Sequence, residues 1–371
     1  MTDQSTDLSQ HPMPRPLVDL RAVFPFLIVL SRNMSASIGS SGSTGLNPTL
    51  SDPERWLRLP AVPGYEPHRV NEMLLLRPAA PRSRGGVQTA TAEPANQHVI
   101  FFPGDVQNFH KVMSSHHENQ QWQRWSLENV AKLLSRRFPG SHVWVVRASR
   151  MYLHKFTCFD NFVESNLFGA PEHCPDYGAF RHLRALLGNA LGQAAGGGTP
   201  SWGLNRAVPP DQRASNGCPK ENSSSTSLGS PPLLHCPLPS GLALTLVGFS
   251  KGCVVLNQLV YELGGARADP DLAPFVASIT DMYWLDGGHP GGSNTWVTSQ
   301  EALKDLASSG ISVHSHVTPY EVRDPMRAWV GKEHKRFVRA LQELGVPIVD
   351  KLHFENQLPS LEQHFRVLEE F

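Results

Sequence analysis

The chain has 371 residues, with 33 Lys and Arg balancing 33 Asp and Glu, so its formal net charge at pH 7 is zero. With no basic stripe, that balance excludes a nucleic-acid partner held by electrostatics. The five cysteines are an odd count with no C-x-x-C pair, which excludes a zinc ribbon and a disulfide framework and fits a reducing compartment.

Residues 1–53 read as a leader and low-complexity linker. The apolar run 22–30 is far shorter than the ~20 residues a bilayer span requires, so no transmembrane span is predicted. Arg15, Arg21, Arg32 and the Ser/Gly-rich stretch 35–45 have the character of a mitochondrial import segment. Asp3, Asp7 and Asp19 are unlike one, and a secretory signal is the alternative.

Residues 54–371 read as one α/β domain. Residues 56–59 and 73–76 bracket a turn at Pro63-Gly64 and predict a β-hairpin. Residues 78–96 form a Pro/Ala/Gly loop. Strand 98–102 ends in Pro103-Gly104-Asp105. Ser126 caps a helix carrying Leu127, Val130, Leu133 and Leu134, and strand 143–146 follows. Phe180, Leu183, Leu187 and Leu191 recur at helical spacing. Residues 194–240, rich in Gly, Ser, Asn and Pro, form a disordered insertion. Strand 242–247, a turn at Ser250 and a helix over 253–263 come next. Strand 279–285 then ends at Asp286-Gly287-Gly288. Thr298-x-x-Glu301 is a capping box for the helix through Leu303 and Leu306. Strand 311–317, a helix over 333–344, a strand opening at 346–349 and a final helical face of Leu361, Phe365 and Leu368 complete the chain. This alternation predicts a mostly parallel sheet with helices on both faces.

The chemistry centres on Gly248-Phe249-Ser250-Lys251-Gly252, a G-x-S-x-G pentapeptide between a strand and a helix. That setting is the nucleophile elbow of an α/β-hydrolase, where a strained turn exposes the serine above the sheet edge. Acyl transfer then needs a base, an acid and oxyanion donors, with the acid and histidine C-terminal to the serine. Asp324, after the later strand, is the favoured acid, and Asp286 is the alternate. Each also reads as an ordinary turn residue. His364, beyond the last strand, is the favoured base, although it shares a helical face with Leu361, Phe365 and Leu368. His353 is the alternate, and His334 is a third histidine on a helix. The N–H of Lys251 supplies one oxyanion donor and that of Asp105 or Val106 the other. Lys251 beside the elbow either attracts an anionic acyl group or pairs with a surface carboxylate. His314-x-His316 lacks a third ligand at recognisable spacing, and Gly287–Gly292 lacks the Walker Gly-Lys-Ser/Thr, so no metal or cofactor is predicted.

Several long runs carry a more specific likeness: residues 102–110, 125–130, 168–173, 248–257, 283–297 and 316–335. Together they resemble a vertebrate mitochondrial family named as an open reading frame of human chromosome 2, over most of residues 55–371. The resemblance implies an α/β-hydrolase-like fold, a mitochondrial (matrix) location and a link to the respiratory chain. A wider likeness to esterase and lipase serine hydrolases rests on Pro103-Gly104. Here that loop lacks a second glycine, and Phe109-His110 stands for a Phe-Tyr pair. The expectation is a mitochondrial serine hydrolase of an ester or thioester with an acyl or lipid substrate, acting through Ser250, His364 and Asp324. The alternative is a catalytically silent hydrolase fold that binds or scaffolds mitochondrial proteins.

Overall fold

The structure, a computed structural model, describes residues 55–79, 96–196 and 237–371. The predicted leader and linker, most of the 78–96 loop, and residues 197–236 of the predicted insertion lie outside the described residues.

Eight strands form one sheet: β1 (Trp56–Pro63), β2 (Val70–Leu76), β3 (Gln97–Phe102), β4 (His142–Val146), β5 (Ala243–Phe249), β6 (Ile279–Leu285), β7 (Ser312–Val317) and β8 (Val349–Leu352). Their spatial order is β1-β2-β4-β3-β5-β6-β7-β8. β2 runs antiparallel to both neighbours, and every other pairing is parallel. Six longer helices accompany the sheet: α1 (Leu127–Arg137), α2 (Ala179–Ala194), α3 (Cys253–Ala268), α4 (Gln300–Ala307), α5 (Ala328–Glu343) and α6 (Leu361–Glu370). This is the mostly parallel sheet with helices on both faces that the alternation predicts, and the α/β-hydrolase-like fold that the elbow implies.

The central strands are apolar throughout because they are buried on both faces. Side chains alternate across the sheet, so Ile100 and Phe102 of β3, Trp144 and Val146 of β4, and Leu244 and Leu246 of β5 enter one core with α2, α3, α4 and α5. Val99 and Phe101, Val143 and Val145, and Val247 and Phe249 enter the other, with α1 and α6. Almost every residue of α3 from Cys253 to Leu263 is buried, which is why that helix shows no polar stripe in the sequence.

Three boundaries differ from the sequence expectation, each for a local reason. α4 is capped by Ser299, whose side chain accepts from the Ala302 N–H, so the cap lies one residue past Thr298. α5 begins at Ala328, five residues before the expected start, directly after the turn Pro325–Arg327. β8 begins at Val349, because Val346 donates its N–H back to Leu341 and Gly345 to Gln342. With Gly345 at φ 79°, that is a Schellman ending, and it consumes the residues that looked like the strand opening.

Buried histidines tie the elements together as neutral acceptors and donors. His182 on α2 meets the Asn71 side-chain oxygen on β2 at 2.8 Å, and Asn161 donates to the same oxygen at 2.9 Å. His289 lies 3.1 Å from the Asn294 carbonyl and accepts from the Gly291 N–H. Burial pushes both imidazoles down to about 3. Unfolding lets them protonate near 6.5, so their contribution is complete above that pH and is lost as pH falls toward about 3. The urea midpoint should therefore fall as pH drops below 6.5, at up to ~1.4 kcal/mol per pH unit for each histidine. His182→Gln should make that slope shallower by one histidine's share; an unchanged slope would contradict this account.

Candidate active site

Ser250 stands at the end of β5 and opens a 3-10 turn, Ser250–Gly252, that leads into α3. Its φ is 51°, a left-handed conformation that costs a non-glycine residue free energy and that surrounding packing must hold. Tight packing does so. A Cβ at Gly252 would lie 1.9 Å from the Phe102 carbonyl oxygen, and one at Gly248 would lie 2.9 Å from the Cys253 Cα. A Cβ at Gly104 would lie 2.6 Å from the Ser250 Cβ. The glycines of the pentapeptide thus let strand, turn and helix close onto the loop after β3.

His364 is carried by α6. Phe365, its neighbour, packs against both Trp122 and Trp125 at ring separations of 5.2 and 5.1 Å, and the Trp125 indole donates to Glu369. The His364 ring itself rests between Phe249 and Tyr320, 4.7 and 5.0 Å away. Its Nδ1 lies 2.7 Å from Asp286 Oδ2. Asp286 ends β6 with φ 47° and is fully buried. Its carboxylate also accepts the Thr318 N–H and the Thr318 hydroxyl, each at 2.6 Å. A buried carboxylate so satisfied assigns the proton to His364 Nδ1 and leaves Nε2 free as an acceptor.

The structure brings Asp286, and not Asp324, to the histidine. Asp324 caps the turn after β7, accepting from the Met326 N–H at 2.8 Å, and pairs with Arg327 at 2.8 Å. His353 does not line the Ser250 cavity. Its Nε2 lies 2.9 Å from His316 Nδ1, and burial pushes it down to about 4 and His316 to about 3. His334 contacts Ser315 and Asp350 through one nitrogen, Nε2, so it cannot relay a proton between them as a triad base would. His314 pairs with Asp281.

The loop after β3 is held from both sides. Gln107 accepts the Gly104 N–H at 2.8 Å and donates to the Trp125 carbonyl at 3.0 Å. Val106, a β-branched residue at φ 70°, donates its N–H to the Lys155 carbonyl at 2.8 Å, so that donor is already used. Among the described residues nothing accepts the Asp105 N–H. The Asp105 side chain turns away from the serine, accepting the Thr157 N–H at 2.7 Å and meeting the Lys251 ammonium at 3.4 Å. Lys251 is fully buried and also donates to the Phe168 carbonyl at 2.7 Å. Burial pushes the Asp105 carboxyl up, and Lys251 and the Thr157 N–H oppose that. Lys251 does pair with a carboxylate, but with the buried one of the oxyanion loop itself and not with one on the surface.

Ser250, His364, Asp105 and Val106 line one small cavity of about 20 Å³, with Tyr320, Glu321, Leu361 and Phe365. That is room for about one water molecule. No hydrogen bond joins Ser250 to His364 among the described residues. Sequence reasoning missed Thr318, Tyr320, Glu321 and Arg327, all brought in by the segment after β7. No metal-binding cluster occurs among the described residues, and no helix there is long and apolar enough to cross a membrane.

Comparison with known proteins places the chain. The family model described as C2orf69 matches residues 58–347. The mitochondrial protein C2orf69 homolog of Danio rerio is 54% identical over 346 residues, covering 93% of each chain. The human mitochondrial protein C2orf69 is 47% identical over 364 residues, covering 92% of this chain and 94% of that one. The chain belongs to the C2orf69 family. Among solved structures, a bacterial brefeldin A esterase is similar at 14% identity and a TM-score of 0.38, covering 97% of this chain and 84% of that one. A carboxyl esterase of Tuber melanosporum is similar at 12% identity and a TM-score of 0.38, covering 94% and 97%.

The Asp105–Lys251 pair is separable by a double-mutant cycle. Lys251→Met leaves a buried carboxylate without its counter-charge and should destabilise the protein by ~3–5 kcal/mol. Adding Asp105→Asn should recover most of that loss in urea unfolding. Additive losses from the two changes would show that the groups do not act as a pair.

Proposed function

We propose that this C2orf69-family chain is a mitochondrial serine hydrolase that cleaves an ester or thioester, with Ser250, His364 and Asp286 as nucleophile, base and acid. The observation that carries the reading is the 2.7 Å contact between His364 Nδ1 and Asp286, made beside a serine held at φ 51° in the same cavity. In this reading His364 Nε2 takes the Ser250 proton as Oγ attacks the substrate carbonyl carbon. Asp286 holds the ring and stabilises the imidazolium. The Asp105 and Lys251 N–H groups receive the oxyanion, Lys251 standing at the start of its 3-10 turn, where backbone donors are unpaired. His364 then protonates the leaving alcohol or thiol. Water, activated by the same histidine, releases the acid and restores Ser250.

The apolar wall of Val106, Leu361 and Phe365 suits an acyl or lipid chain, and a cavity of about 20 Å³ admits little more than the reacting group. Substrate entry therefore requires Tyr320 or α6 to move. The names of the relatives support the mitochondrial setting, and the matrix and a contribution to the respiratory chain are part of the proposal.

One observation favours a second reading, in which the fold binds a mitochondrial protein partner and catalyses nothing. The cavity is small, and no hydrogen bond joins Ser250 to His364 among the described residues. Restoration of respiration by Ser250→Ala in cells lacking the protein would favour that reading over catalysis.

Reaction of Ser250 with a fluorophosphonate separates the two acids. Asp286→Asn should slow labelling by ~10²–10⁴-fold, since His364 loses the group that fixes its tautomer. Asp324→Asn should stay within about tenfold of wild type, a change worth under ~1.4 kcal/mol. The reverse ranking would return the acid role to Asp324.

A further inference from the structure

A second carboxylate reaches the same nitrogen of His364. Glu321, on the short helix Pro319–Val322 after β7, places Oε1 4.0 Å from Nδ1 and lines the Ser250 cavity. It is 3% exposed at the side chain, as is Arg327, whose guanidinium meets Glu321 Oε2 at 2.7 Å. Arg327 in turn is held by Asp324 at 2.8 Å and by the Tyr320 carbonyl at 3.3 Å. The chain also makes room for this carboxylate: a Cβ at Gly288 would lie 2.4 Å from Glu321 Oε2. Thus Gly288, two residues after Asp286, is the position that lets both acids approach one imidazole.

We propose that Glu321 is a second acid of this site, a positioning residue that shares with Asp286 the stabilisation of the imidazolium formed when Ser250 gives up its proton. The proposal rests on the serine-hydrolase reading. Asp286 makes the direct hydrogen bond and sets the tautomer. Glu321 adds a second carboxylate at 4.0 Å, where both groups are buried and screening is weak. Burial pushes the Glu321 carboxyl up, and the Arg327 guanidinium and His364 pull against that rise; Arg327 also holds Oε2, so that only Oε1 faces the imidazole. Asp324, which the sequence offers as the acid, then acts one step back, by holding Arg327.

The groups facing His364 from neighbouring elements are few. Asp286 comes from the end of β6, and Tyr320 and Glu321 from the helix after β7, with Arg327 behind them. Asp105, already paired with Lys251, comes from the loop after β3. On α6 itself the neighbours are Leu361 and Phe365. Among the described residues no other charged group lines this cavity.

The test is the pH profile of fluorophosphonate labelling of Ser250, measured for wild type, Glu321→Gln, Glu321→Asp and the double change Glu321→Leu with Arg327→Met. The double change removes the buried pair together, so it supplies a neutral variant if Glu321→Gln alone does not fold. Loss of the second charge should lower the plateau rate about tenfold and move the acid limb of the profile about one pH unit lower, because the protonated ring is less favoured. Glu321→Asp should restore both. A lower plateau with an unmoved acid limb in the neutral variants would reduce Glu321 to a packing role and overturn the proposal. Absence of labelling in wild type would instead overturn the hydrolase reading, and this proposal with it.

Discussion

The candidate site depends on one buried ion pair, Lys251 with Asp105. Each residue alone would be costly at its position, because a charge removed from water must find a partner. Lys251 belongs to the elbow and Asp105 to the loop after β3, so their 3.4 Å contact joins the two segments that must face each other for the serine to have an oxyanion site. The Phe168 carbonyl and the Thr157 N–H complete the pair's hydrogen bonds and tie the segment after β4 to the same point. The lysine after the serine and the aspartate after Pro103-Gly104 are thus one feature. The loop's backbone donors are also accounted for. Gly104 and Val106 are used by Gln107 and Lys155, which leaves the Asp105 N–H for the cavity.

Three strained residues stand around this lock. Ser250, Asp286 and Val106 all hold left-handed backbone conformations without being glycine, and all three stand at C-terminal ends of strands or the loops that follow them. Such conformations persist only where packing over-determines them. The packing of Phe365 against Trp122 and Trp125 provides part of that by fixing α6, and with it the imidazole. The same rigidity makes the cavity small. At about 20 Å³ it has room for little more than the reacting group, and Tyr320 and the α6 residues Leu361 and Phe365 form its wall.

Much of the architecture was legible in the residues. Both faces of β3, β4 and β5 are apolar, so the runs read as buried strands, and the glycines around Ser250 read as an elbow. The choice of acid was not legible. Asp286 and Asp324 both follow strands, and what separates them is where each loop turns. Asp324 is held back by its own turn, through the Met326 N–H and Arg327, whereas Asp286 faces across β7 to Thr318 and His364. Glu321 was invisible for the same reason, since its meaning comes from Arg327 and from space left at Gly288. His364 could be read as a packed histidine on the α6 core face, and it is that as well: its ring is packed and hydrogen-bonded at once. Helix and strand ends shifted where a cap, at Ser299 or after α5, depended on backbone hydrogen bonds that composition does not reveal.

The most direct test of the central claim is a crystal structure of the protein after reaction with a small fluorophosphonate. The account predicts phosphorus bonded to Ser250 Oγ, with one phosphonyl oxygen ~2.7–3.1 Å from the backbone nitrogens of both Asp105 and Lys251. His364 Nε2 should face the ester oxygen, with Asp286 still on Nδ1. An adduct on another residue, no adduct in a folded protein, or a phosphonyl oxygen turned away from those two nitrogens would contradict it.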